Sequence, residues 1–227
     1  MGLGAAACKR GGFTYFSRDG RVESRGEGLF QARFPMDSRI TWGIAGRPSL
    51  LLTRLLEGLA DGYMKVPGLQ PRLMSMATRL RKRLRIAAQF VTTPPVAACV
   101  FDYAVSGARV DVHCAFTGYS GAVSKLHVVN ELGADHFRAA IGGGRTVAPP
   151  SGWQPLPVAM PTPALYDPAR RTRFSIDRLS ASPPLPVSVF WGREKLDDYC
   201  WAGFELEIDL TRGAPQTFTL SYSVVVE

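Results

Sequence analysis

The sequence is poor in the side chains that most catalytic and metal sites are built from. Three histidines (His113, His127, His136) and four cysteines (Cys8, Cys99, Cys114, Cys200) are all it has in 227 residues. The histidines show neither H-x-x-x-H nor H-E-x-x-H spacing and the cysteines form no C-x-x-C pair, which excludes the local motifs of zinc ribbons, zincins and small disulfide scaffolds. No cofactor or metal is expected. No stretch of 18 or more apolar residues occurs, so a helix spanning a membrane is not expected. The start "MGLGAAACKRGG" lacks an apolar run of signal-peptide length, and Ala6 stands where a myristoylation pattern wants Ser or Thr. An intracellular chain with reduced, buried thiols is the expectation, with cytoplasm, organelle and particle not separated.

Acidic residues are missing altogether between Asp61 and Asp102. The gap coincides with a concentration of positive charge: residues 1–94 hold 16 Lys or Arg against 6 Asp or Glu, a net of +10, whereas the remainder holds 11 against 13, a net of −2. A chain charged at one end favours a polyanionic neighbour, whether nucleic acid, anionic lipid or an acidic protein surface. The composition otherwise fits a globular chain that needs no staple to fold, being 46% hydrophobic and 20% charged, and its 23 Gly and 17 Pro favour turns and strands over long helices.

The patterning predicts an α+β fold, mainly an antiparallel β-sheet or sandwich, with an N-terminal β-hairpin and a basic helical pair. Two regions are expected: a basic one over 1–95, with the hairpin and two helices, and an antiparallel β domain over 96–227 with a Pro-rich extended arm (149–168). In "FTYFSRDGRVESRGEGLFQARF" the Asp19-Gly20 pair reads as the hairpin turn. From Pro48 the period becomes helical: Leu52, Leu55, Leu56 and Leu59 share a face, and Gly62 sits where a helix ends. After "MKVPG" a second helix, opened by Pro71, carries Leu73, Met76, Ala77, Leu80, Leu84, Ala87 and Val91 on one side and Arg72, Arg79, Arg81, Lys82, Arg83 and Arg85 on the other, roughly 20 residues and 30 Å long. The apolar side is expected to dock inward, leaving the cations facing out without i,i+4 partners.

Beyond "TTPP" the chain turns to strands. "ACVFDYAVSGARVDVHCAF" alternates as a hairpin, and a four-residue loop, Ser106 to Arg109, sets Asp102 opposite His113 rather than opposite Asp111, which like-charge repulsion disfavours. "KLHVVNELGADHFRAAIGGG" is expected to hold a short strand and then a short helix ended by Gly142. The last two strands, joined by "TRGAPQ", read as a hairpin with Leu206, Ile208 and Leu210 inward and Glu205, Glu207 and Asp209 on a solvated face.

Candidate chemistry is sparse. "GYSGA" at Gly118–Ala122 departs from the nucleophile elbow at its last position, so Ser120 reads better as a turn residue. His113 and Cys114 are strand neighbours and point to opposite faces, while Cys114 with His127 or His136 stays open. Gly142–Gly144 run into "VAPPSGWQP", which cannot supply the helix N-terminus of a phosphate loop. No catalytic set is assigned. The sequence thus points to a non-enzymatic structural or interaction subunit of a larger assembly, docking through Arg72, Arg79, Arg81, Lys82, Arg83 and Arg85 on a polyanion or acidic subunit. Its expected partners are other protein subunits, with nucleic acid or anionic lipid as alternatives. Two other readings remain: a small Cys- or Ser-dependent hydrolase or transferase, and a peripheral membrane-surface protein.

Overall fold

The computed structural model describes residues 2–63, 70–119, 123–133, 137–142, 145–150, 152–156, 164–196, 199–211 and 215–227. Eighteen strands and two helices follow one another along the chain: β1 (Gly2–Arg10), β2 (Phe13–Phe16), β3 (Arg21–Gly26), β4 (Leu29–Pro35), β5 (Ser38–Ile44), β6 (Arg47–Pro48), α1 (Leu50–Tyr63), α2 (Gln70–Leu84), β7 (Ile86–Thr92), β8 (Ala97–Ser106), β9 (Arg109–Gly118), β10 (Lys125–Gly133), β11 (Ala139–Gly142), β12 (Arg145–Val147), β13 (Gly152–Pro155), β14 (Ala164–Asp167), β15 (Thr172–Ser182), β16 (Val187–Leu196), β17 (Tyr199–Asp209) and β18 (Thr217–Val226). They form two nine-stranded antiparallel sheets. The first runs β13-β16-β17-β10-β1-β2-β5, with both β6 and β7 paired to β5. The second runs β12-β11-β14-β15-β18-β9-β8-β4-β3. Strands from 1–95 and from 96–227 share both sheets, since β1 lies against β10 and β4 against β8.

The alternation read from the sequence builds the core. Leu126 and Val128 of β10 and Phe204, Leu206 and Ile208 of β17 belong to one buried cluster with Phe101 of β8, Cys114 and Phe116 of β9, Leu220 and Tyr222 of β18 and Phe174 of β15. Two sheets that bury their alternate residues in one cluster make a sandwich. Across it, the buried Tyr222 hydroxyl donates to Asn130 Oδ1 at 2.9 Å, satisfying two polar groups that the apolar interior would otherwise penalise.

Several local expectations change. The N-terminal hairpin is β1–β2, turned by Gly11 and Gly12 at φ of 57° and 77°, the left-handed pair that a two-residue turn needs. Asp19-Gly20 instead carries the chain from β2 in the first sheet to β3 in the second, where β3–β4 makes another hairpin. The basic helical pair reduces to one basic helix, because α1 holds Arg54 against Glu57 and Asp61. The second helix ends at Leu84. Arg85 adopts φ of 51°, and Ala87 and Val91 lie on β7, paired to Gly43 and Arg39 of β5. Their spacing suits either structure, and the β-favouring run Ile86–Thr92 gains a full ladder by pairing. Residues 139–142, expected to end a helix, form β11.

The final hairpin is replaced by a crossing between sheets, with β17 between β10 and β16 and β18 between β15 and β9. The β8–β9 hairpin has the expected register, Asp102 facing His113 and Ser106 facing Arg109. Within 149–168 the described pieces are extended: β13 forms a sheet edge ending in Pro155, where a missing N–H costs nothing, and β14 pairs with β11 and β15. The linker 64–69 lies outside the described residues.

Candidate assembly surface

Both helices attach to the end of the first sheet, α1 by a polar face and α2 through Arg81. Ser49 caps α1, its hydroxyl accepting from the Leu52 amide at 3.3 Å. Thr53 Oγ1 accepts from the Trp42 amide at 2.8 Å and donates to the Ser49 carbonyl at 2.8 Å. One turn on, the Glu57 carboxylate accepts from Lys9 Nζ at 2.6 Å and from the Thr14 hydroxyl. Thr53 and Glu57 are buried. At about 100° per residue they subtend about 40°, and Leu51, Leu55 and Leu59 fall at about 160° to 240°, on the opposite side. Those leucines are 80%, 59% and 62% exposed. The face read from the sequence is therefore split, with Leu55 and Leu59 exposed and Leu52 and Leu56 half-buried. A part-buried ion pair and a threonine anchored to a strand outweigh the helix's own apolar stripe.

The second helix meets the same strand through an arginine. The Arg81 guanidinium packs over the Trp42 ring of β5, 4.6 Å from its centroid, a contact worth about 0.5–1 kcal/mol at an exposed site. With Arg81 as zero, Arg79 falls at about 160°, Arg83 at about 200°, Met76 at about 220° and Leu80 at about 260°. Met76 (63%) and Leu80 (51%) are exposed accordingly, together with Leu84. The cationic sector and the adjoining Met76 and Leu80 both face outward, instead of the apolar side docking inward as the sequence suggested. Arg79, Lys82, Arg83 and Arg85 are exposed and make no ion pair among the described residues. Arg85 turns the chain, its carbonyl accepting from the Ala45 amide at 3.1 Å. Arg72 lies in the first turn of α2, with its side chain outside the described residues.

The alternative constellations come apart. Cys114 is fully buried on the inner face of β9. His127 stands on β10 of the other sheet, its Nδ1 at 2.5 Å from Glu205 Oε1, so the two do not meet. Ser120 and His136 lie outside the described residues, as do Gly143, Gly144, Asp197 and Asp198. Cys99 is held well above the usual thiol range, first by its hydrogen bond with Cys114 and then by burial, and burial pushes the Cys8 thiol up to about 12. Neither is a thiolate near neutral pH.

Glu205 and Glu207, read from sequence as solvated, are largely enclosed: Glu205 contacts His127, and Glu207 accepts from Lys125 Nζ at 3.0 Å. Asp209 is exposed. The cross-strand neighbours on β10 are the cause, and only the sheet order could have revealed them. No group of three or more His, Cys, Asp or Glu among the described residues is arranged to hold a metal ion. No described helix is long and apolar enough to cross a membrane.

One serine–histidine contact escaped the sequence reading. Asp102, His113 and Ser221 stand in a row across β8, β9 and β18, on a shallow groove of about 480 Å³. His113 Nδ1 is 2.9 Å from Ser221 Oγ, but Asp102 Oδ1 accepts from Gln31 Nε2 at 2.8 Å. The strand amides around the row are taken up by paired ladders, so no pair of free donors is left to stabilise an oxyanion there. The contact reads as a surface cross-strand pair.

The chain matches no family model, no curated protein and no solved structure.

Proposed function

We propose that the chain is a non-enzymatic interaction subunit that docks the helical end of its sandwich on an acidic protein surface. The observation that supports this most directly is the outer face of the helices, with Arg79 and Arg83 beside Met76 and Leu80 on α2 and the exposed Leu50, Leu51, Leu55 and Leu59 on α1. Isolated exposed apolar residues are ordinary, but a whole helical stripe at helical spacing marks an interaction surface. Covering one such leucine is worth up to about 2 kcal/mol, and unpaired cations add attraction and steering toward an acidic partner. A nucleic-acid backbone would neutralise the cations and leave the leucines in water. An acidic protein face with an apolar ridge would meet both.

The test compares the parent with a variant carrying Arg79→Gln, Lys82→Gln and Arg83→Gln, with Arg81 kept because it packs on Trp42. Each is isolated from its native source at low and at high salt, and its mass and nucleic-acid absorbance are measured. A protein complex that loses the chain as salt rises, and that fails to form with the variant, supports the reading. A complex indifferent to the three substitutions overturns it. Loss of nucleic acid alone, with a salt slope of the counterion-release kind, would identify the partner as a polynucleotide instead. Recovery only with anionic vesicles would make the surface a membrane-binding one.

A further inference from the structure

The edges of the two sheets are protected unequally. In the second sheet β3, "RVESRG", carries three charges and is exposed throughout, and β12 is three residues long. In the first sheet β13 is four residues long and ends in Pro155, and β6 is the dipeptide Arg47–Pro48. Charge, proline and shortness are the usual ways of blunting an edge. β7 has none of them. "IAAQFVT" spans seven residues without charge, Pro or Gly, and among the described residues pairs only with β5. Phe90 on it is 54% exposed and Val91 37%.

We infer that β7 is a pairing edge for a second copy of this chain, joining the first sheets of two protomers into one continuous antiparallel sheet. The strand is complementary to itself. A twofold axis at Gln89 sets Ala88 opposite the partner's Phe90 and Ala87 opposite the partner's Val91, a small side chain facing a large one on both faces of the sheet. Gln89 faces its own copy, and Ile86 faces the partner's Thr92. The register also keeps the basic helices apart. Arg85 comes opposite the partner's Thr93, so the two Arg85 backbones are separated by eight residues of strand, about 27 Å. That is several times the Debye length of about 8 Å at physiological salt.

The surface shares no residue with the cationic face of α2, so the two proposals fail separately. The dimer is expected to survive high salt and to form equally in the Arg79, Lys82 and Arg83 variant. Sedimentation of the full chain at high salt, up to about 100 μM, reads the association, which a small interface places in the micromolar range. Ala87→Lys with Val91→Lys puts like charges opposite each other at two exposed positions, and a dissociation constant raised about tenfold or more is expected, with the circular dichroism unchanged. Gln89→Cys tests the register without disturbing the pairing: its Cα atoms would come about 4.5–5.5 Å apart on the axis, within disulfide reach. Oxidation should crosslink Gln89→Cys but not Thr92→Cys, beyond the parent's background. A monomer throughout, a dimer indifferent to the lysines, or equal crosslinking of both cysteine variants would overturn the inference.

Discussion

Charge and burial act on single side chains here in ways that can be titrated. Asp111 is held below the ordinary carboxylate range by the hydrogen bond from Arg109 and then by that from Ser223. Because its folded value is depressed, the contribution to stability is present above the unfolded value of 3.8 and is lost as pH falls through the lower folded one. Asp111→Asn should unfold more readily than the parent at neutral pH, and the gap should close in acid below that range. The carboxylate is half exposed, so the difference is of order 0.5 kcal/mol and is best read as a shift in urea midpoint. At the buried extreme, Cys8, Cys99 and Cys114 have no accessible surface. Mapped peptides should show these three thiols unalkylated in the native protein at neutral pH and modified after unfolding. Native labelling of Cys114 would reopen a nucleophilic role.

At the scale of elements, α1 separates what periodicity can say from what it cannot. The leucine spacing predicts a helix, and a helix is there. Its orientation depends on Lys9 and Thr14, which reach Glu57 only through the β1–β2 hairpin, and no local pattern encodes that meeting. Glu57→Ala should therefore cost roughly 2 kcal/mol and loosen α1, by removing the buried carboxylate that both Lys9 and Thr14 bond. Replacing Leu51, Leu55 and Leu59 by Gln together should leave the melting temperature within a degree or two while weakening partner docking. The opposite ranking is what an inward leucine stripe would give, so calorimetry on the two variants separates the arrangements.

The same distinction runs through the strands. Asp102 facing His113 was legible because charge pairing discriminates between registers of one hairpin. The end of α2 was not, because Ala87 and Val91 satisfy both periods and β5 decides between them. The separation of β17 from β18 was hidden for a further reason: adjacency in sequence suggested a hairpin, whereas the partners that win lie far away along the chain. Among the site residues, the cations of α2 were readable as a group. The exposure of Met76 and Leu80 beside them was not, since Trp42 fixes the rotation of the helix.

Over the whole molecule, the basic end and the neutral sandwich are parts of one structure, because strands from both regions interleave in each sheet. That interleaving governs the order in which the molecule can be made. β1 is an inner strand, with Cys8 paired to Leu126 on one side and Tyr15 on the other, and β10 itself leans on β17. During synthesis β1 and its hairpin partner emerge long before the strands that cover them. The first sheet cannot close until β17 has been translated, and the second waits for β18. A nascent chain of this topology holds apolar strands unpaired for most of its elongation, and its contacts are dominated by distant pairs, the regime in which folding slows toward milliseconds or seconds.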